Sequence, residues 1–169
     1  NGMARWMNRV WELARRDAHL LDGHPVDGDV VRELQRVVHK TVRRVGDDLE
    51  RFKFNTALAG LMEYTNSLNQ AWERKSLDSG TWNDAVEKLL LLMAPMAPHI
   101  SEELWERTGH QYSVHNQRWP EWDPELAADE LFTLVVQVNG RLRDRIEVPV
   151  SISEDEARKM ALESGRVQP

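Results

Sequence analysis

Leu89-Leu90-Leu91-Leu92-Met93-Ala94-Pro95-Met96-Ala97-Pro98-His99-Ile100-Ser101-Glu102-Glu103-Leu104-Trp105 is the stretch on which the fold turns. From Leu89 to Met93 every residue is apolar. A helix there has no face to offer water, so it must be the central, buried member of a bundle. Pro95 and Pro98 break it, because proline has no N–H to give and clashes with the preceding turn. Pro98 suits the first turn of a following helix that carries Ile100, Leu104 and Trp105, with Gly109 as its stop. Upstream, Thr81 and Asp84 have the spacing of a capping box, with Asp for the usual Glu, and open the central helix.

Three more helices precede it. The first runs from Met3 to Leu21, with Trp6, Met7, Val10, Leu13, Ala14, Leu20 and Leu21 at helical spacing, and stops at Asp22-Gly23-His24-Pro25. Asp27 or Asp29 caps the second, whose apolar set is Val30, Leu34, Val37, Val38, Thr41, Val45, Leu49 and Phe52. Asn55 caps a third, with Leu58, Leu61, Met62, Thr65, Leu68 and Trp72 on one side. Five helices joined by short loops predict an antiparallel bundle over residues 1–109. Trp6, Trp11, Trp72, Trp82 and Trp105 sit at apolar helical positions and read as core or core rim.

After Gly109 the texture changes. Residues 110–130 are polar and proline-containing, and read as a connecting strap pinned to the bundle by Trp119 and Trp122. Leu131–Val138 and Arg141–Val148 flank Asn139-Gly140, a strong hairpin signal. A two-residue turn would pair Val138 with Arg141 and set Val136 on the same face as Arg143. A three-residue loop, with Gly140 as a bulge, pairs Gln137 with Arg141 and gathers Phe132, Leu134, Val136, Leu142 and Ile146 on one face. The second is preferred, since a one-residue slip reverses which side chains are buried. Ser153 and Glu156 form a capping box for a last helix ending at Gly165. A lone hairpin is marginal in water, so residues 131–169 read as a small, truncated α+β module. The fold class is therefore mainly α, and the chain, which opens on Asn1, reads as cut from something longer.

The 169 residues are 41% hydrophobic and 30% charged, a globular mixture. The absence of cysteine excludes disulfides, thiolate catalysis and cysteine-ligated zinc. No apolar run is long enough to span a bilayer and no secretory signal opens the chain, so a cytoplasmic protein without membrane contact is expected. The six histidines have no ligand spacing, and no metal site is expected. Glu102 and Glu103 point in different directions and favour a helix N-terminus through its dipole. With no phosphate loop, nucleophile elbow or acid–base dyad, no catalytic residue is assigned.

The net charge of −6 argues mildly against nucleic acid, but what counts is whether cations share a face. On the second helix Arg32, Arg36, Lys40, Arg43 and Arg44 fall at i, i+4, i+8, i+11 and i+12, one stripe nearly opposite the apolar face. A phosphate backbone needs several flexible cations along a rigid rod, although most charge runs are solvated faces. Arg141, Arg143 and Arg145 alternate on one strand and share a side with Gln137 and Thr133. That plate either meets RNA or protects an edge against strand addition.

Phe54-Asn55-Thr56-Ala57-Leu58-Ala59-Gly60-Leu61-Met62-Glu63 resembles the third-helix motif of the anticodon-binding domain of class I aminoacyl-tRNA synthetases. The opening Leu89–Trp105 stretch resembles that domain's most distinctive motif. Val136-Gln137-Val138-Asn139-Gly140-Arg141-Leu142-Arg143-Asp144-Arg145-Ile146-Glu147-Val148-Pro149 resembles the hairpin that begins the C-terminal domain in the bacterial leucyl-tRNA synthetase branch. The resemblance covers essentially the whole chain. It implies a bundle packed along tRNA, a parent that attaches leucine to its tRNA using ATP with Mg2+, and partners comprising leucine-acceptor tRNA and the parent's remaining domains. It implies no cofactor in this part. The family's C-terminal domain continues past the match at Val167-Gln168, where this chain departs from it. A helical protein–protein interaction module with an acidic surface is the alternative from a different class, and a complete small enzyme is a third that the missing site argues against.

Overall fold

Helices that share one apolar core must turn their polar residues outward, and the computed structural model arranges the chain accordingly. It describes residues 2–128, 131–138, 141–149 and 152–163. The chain divides into two compact units, Asn1–Ala127 and Ala128–Pro169. In the first lie α1 (Gly2–Ala14), α2 (Gly28–Glu50), α3 (Phe54–Arg74), α4 (Ser79–Met93) and α5 (Pro98–Arg107), with short 3-10 turns at Ala18–Leu20 and Val114–Asn116. In the second lie β1 (Leu131–Val138), β2 (Arg141–Pro149) and α6 (Glu154–Glu163).

The core gathers around α4, where Leu89, Leu90, Leu92 and Met93 are wholly buried. Buried side-chain hydrogen bonds tie α3 to α4 and to α1. The Tyr64 hydroxyl on α3 donates to the Ala85 carbonyl of α4 at 2.8 Å, and complete burial pushes its pKa well above the ordinary value. Trp6 Nε1 on α1 donates to Thr65 Oγ1 on α3 at 3.0 Å, and that hydroxyl donates to the Leu61 carbonyl at 2.8 Å. Trp6, Trp82 and Trp105 are buried, while Trp11 and Trp72 lie at the rim.

Several boundaries differ from the sequence reading, each for a local reason. α1 ends at Ala14, because Asp17 caps a separate 3-10 turn by accepting from His19 N at 3.1 Å; Leu21 stays buried and Leu20 is exposed. Asn55 is not a cap. Phe52 takes a left-handed φ of 57°, Lys53 N donates to Asp48 O at 2.7 Å, and α3 begins at Phe54 with no side-chain cap. Phe52 therefore leaves the apolar face of α2 and is exposed. The cap of α4 is Asp78, one turn ahead of the expected box, which accepts from Thr81 N at 2.8 Å and Thr81 Oγ1 at 2.6 Å. Asp27 caps α2 by accepting from Asp29 N, and Gly109, at φ 86°, follows α5 in the left-handed conformation that glycine adopts freely.

The second unit corrects the hairpin register. Val138 pairs with Arg141 and Gln137 with Leu142, but Val136 pairs with Asp144, so Arg143 is an extra residue in β2. The expected pairing of Gln137 with Arg141 is not formed. A bulge does the work assigned to a longer loop: it shifts the register by one, so Val136, Leu134 and Ile146 still share the more buried face. The turn residues Asn139-Gly140, and with them the expected positive φ at Gly140, lie outside the described residues, as does the expected helix end at Gly165. The box at Ser153 and Glu156 is formed, Ser153 N donating to Glu156 Oε2 at 3.2 Å and Glu156 N to Ser153 Oγ at 3.3 Å.

The Asp78 cap sets an acid response. Its hydrogen bonds from the Thr81 hydroxyl and N–H hold its pKa below the ordinary 3.8. A depressed folded pKa contributes stability above the unfolded value that is lost as pH falls through the folded one. Asp78→Ala should cost about 1 kcal/mol at neutral pH. Asp78→Asn should retain most of that stability and flatten the decline below about pH 4, as read by urea melts across pH.

Candidate nucleic-acid interface

The 23 residues of α2 make a rod about 34 Å long at ~1.5 Å per residue. Val30, Leu34, Val38, Thr41, Val42 and Val45 are its buried face. Arg32, Arg43 and Arg44 are exposed on the other side, and Arg36 and Lys40 between them are half-buried. The row is occupied unevenly. Arg32 forms an ion pair with Asp29 one turn back, and Arg44 with Glu63 of α3. Arg74 of α3 pairs in turn with Glu33. These two interhelix pairs run in opposite order along the chain, the mark of antiparallel neighbours.

The strap lies against one flank of the same rod. The Arg43 guanidinium sits 5.0 Å from the centroid of the Trp122 ring. Asp123 N donates to His39 Nδ1 at 3.0 Å, which requires that nitrogen to be unprotonated. Trp119 Nε1 lies beside Gly46, 3.4 Å from where a side chain there would begin. Trp119 and Trp122 thus hold the strap as the sequence suggested. Its earlier part is held by Glu102 of α5, which accepts from Ser113 Oγ and Val114 N, both at 2.9 Å. Glu103 pairs instead with Arg107 at 2.6 Å, so the two adjacent glutamates do face different partners.

On β2, Arg143 and Arg145 are exposed along with Thr133, Val135 and Gln137 of β1; the side chain of Arg141 lies outside the described residues. Among the described residues no group of three or more His, Asp or Glu could hold a metal ion.

A second cation group escaped the sequence reading. Arg9 Nη1 on α1 donates to Asn66 Oδ1 on α3 at 3.3 Å, and Arg16 Nη2, just past the end of α1, donates to Asn69 Oδ1 at 2.8 Å. Asn69 Nδ2 donates to the Thr65 carbonyl at 2.9 Å, which orients the amide. The linked positions rise together in both helices, so α1 and α3 run parallel. Arg16 also lies 5.2 Å over the Trp72 ring, and burial lowers its pKa, opposed by the charge of Glu73. The spacing of Arg5, Arg9 and Arg16 is visible in the sequence, but the amide partners of Arg9 and Arg16 emerge only when α1 packs on α3.

A family model described as the anticodon-binding domain of tRNA ligase matches residues 32–158. A leucine–tRNA ligase from Dehalococcoides mccartyi strain 195 is 46% identical over 169 residues, 100% of this chain and 20% of the relative. One from Rubrobacter xylanophilus is 46% identical over 168 residues, 99% of this chain and again 20% of the relative. The chain thus spans about one fifth of the relatives it matches. Among solved structures, the ternary complex of the Agrobacterium radiobacter K84 agnB2 LeuRS with tRNA and LeuAMS superposes with a TM-score of 0.82 at 30% identity, covering 99% of this chain and 22% of that one.

The strap's hold on α2 can be measured. Replacing Trp119 and Trp122 together by Ala removes the ring under Arg43 and the contact at Gly46. The cation–π contact of Arg43 with Trp122 contributes about 0.5–1 kcal/mol at an exposed site. Trypsin cleavage after Arg118 should accelerate several-fold, while the helical circular dichroism signal stays unchanged.

Proposed function

The chain belongs to the family of anticodon-binding domains of tRNA ligases, in its leucyl branch, and from that premise we propose that it docks tRNA for a larger enzyme that joins leucine to its tRNA using ATP with Mg2+. The observation that carries this reading is the row of Arg32, Arg36, Lys40, Arg43 and Arg44 along one rigid helix, opposite its buried face. Cations fixed along a rod match phosphates spaced along a backbone, and such contacts position a nucleic acid without specifying its sequence. Arg141, Arg143 and Arg145 of β2 are proposed as a second set of RNA contacts. The remaining domains of the parent are the other proposed partners, and the cytoplasm the proposed compartment. Among the described residues no helix is long and apolar enough to cross a membrane.

The chemistry of ligation is assigned elsewhere in the parent, since no phosphate loop or acid–base cluster was identified in this sequence. The chain alone should therefore support no leucine-dependent exchange of pyrophosphate into ATP, assayed on protein free of host synthetase. Measurable exchange would overturn that assignment.

The net charge of −6 favours a second reading, an acidic protein-interaction module. Salt separates the two. Replacing Arg36, Lys40 and Arg43 together by Glu should weaken binding to different tRNAs alike and flatten the slope of log affinity on log salt by about 0.9 per lost phosphate contact. Folding should survive, because surface changes away from the apolar face cost little. A folded triple variant with unchanged tRNA affinity and slope would return the row to an ordinary solvated helix face.

A further inference from the structure

We infer that the strap segment from Trp119 to Asp123 is a latch on α2 that protonation of His39 releases, while His110 keeps the strap's near end fastened. One hydrogen bond sets the condition. Asp123 N donates to His39 Nδ1 at 3.0 Å. A backbone N–H can only donate, so the bond exists only while that nitrogen keeps its lone pair. Imidazole is the side chain that ordinarily changes charge between about pH 5 and 8. A protonated His39 turns an N–H toward an N–H, and an attraction becomes a repulsion.

The other fastenings of this segment are slight. Trp122 has the Arg43 guanidinium 5.0 Å from its ring centroid and Trp119 sits beside Gly46, yet the two tryptophans remain 38% and 40% exposed. The charges around His39 come from three elements. On its own helix Arg36, Lys40 and Arg43 stand within four residues and oppose a further positive charge. On α4, Asp84 lines the same pocket as His39 and is paired with Lys88. On the strap, Asp123 Oδ1 accepts from Glu125 N at 2.8 Å, and Glu121 and Glu125 are exposed to water. Asp84 and Asp123 thus already hold other donors.

The strap's near end is built the opposite way. His110 Nε2 faces Glu87 Oε2 at 3.3 Å, Nδ1 faces Thr108 Oγ1 at 3.0 Å, and the ring stacks on Trp105 at 3.9 Å. Thr108 Oγ1 gives its own proton to the Leu104 carbonyl at 2.8 Å, so a protonated imidazole finds an acceptor at each nitrogen. Ser113 and Val114 are held by Glu102 in addition. Acid therefore leaves this end fastened and opens the other, a hinge at His110 and a catch at His39. Release frees Arg43, a member of the α2 row, from the Trp122 ring.

The chain contains no cysteine, so a single nitroxide reports on one place. The test is electron paramagnetic resonance of the 169-residue chain labelled at Glu121→Cys or, separately, at Gln111→Cys, both exposed positions, from about pH 8 to about pH 5.5. The mobile fraction at the Glu121 position should rise several-fold on acidification, as the loss of one hydrogen bond implies, while the Gln111 position keeps its spectrum. His39→Asn sets an amide oxygen close to where Nδ1 stood, an acceptor that does not titrate. In that background the Glu121 position should stay docked over the whole range. Unchanged mobility there in the otherwise wild-type chain, an equal rise at the Gln111 position, or an undiminished rise in His39→Asn would each overturn the latch. The first two outcomes need no change at His39, so they decide the matter even if His39→Asn fails to fold.

Discussion

Four wholly buried side chains in one short run, Leu89, Leu90, Leu92 and Met93, oblige α4 to be enclosed on nearly every side. Each removes enough apolar area from water that truncating it to Ala costs about 2–5 kcal/mol in a packed core. No single neighbour can cover such a helix. α3 closes one side through Tyr64 and the tilted Trp72–Trp82 pair, whose rings lie 4.7 Å apart. α2 closes another, with Leu34, Val38 and Val42 buried. The direction in which α2 presents its cations follows from this enclosure: once its apolar face is committed to the core, the opposite face has only solvent or a ligand to meet.

The exterior seams of the bundle are then held by polar bonds of different electrical consequence. Between α2 and α3, Arg44–Glu63 and Arg74–Glu33 join charge to charge. Exposed pairs of this kind contribute only ~0–1 kcal/mol, but they cancel local field. Between α1 and α3, Arg9 and Arg16 meet the amides of Asn66 and Asn69, so the register of the two helices is held by hydrogen bonds to neutral groups. Trp11 lies near two further guanidinium groups, Arg15 at 5.7 Å and Arg107, itself paired with Glu103, at 5.2 Å from its ring. In a chain of net charge −6, attraction for a polyanion depends on where charge is left uncancelled rather than on its sum.

Much of this was legible in advance where the signal was local and repetitive. The all-apolar run, the two prolines, Gly109 and the box at Ser153 and Glu156 each follow from the chemistry of a few adjacent residues. Where the reading and the structure differ, the residues nearby offered a second local arrangement. Thr81–Asp84 and Asp78–Thr81 are both plausible caps, and the chain uses the earlier. Asn55 is a good cap in isolation, but a left-handed Phe52 turns the chain before reaching it. In the hairpin, a longer loop and a bulge at Arg143 both bring Val136 to the buried face, and the alternation of residues alone does not distinguish them.

The amino-acid sequence by itself determined that this chain folds as a helical bundle followed by a hairpin and a helix, and which face of each bundle helix is apolar. Periodicity and breakers are properties of neighbouring residues, so no folding is needed to read them. It also placed five cations along α2. Tertiary structure decided the partners of Arg44 and Arg16, because those stand across a seam, whereas the Arg32–Asp29 pair is local to α2. Glu63 lies 19 residues from Arg44, whereas Asn69 lies 53 residues from Arg16. Coulomb attraction and hydrogen bonding act over a few ångströms of space, and only packing turns those sequence separations into such distances.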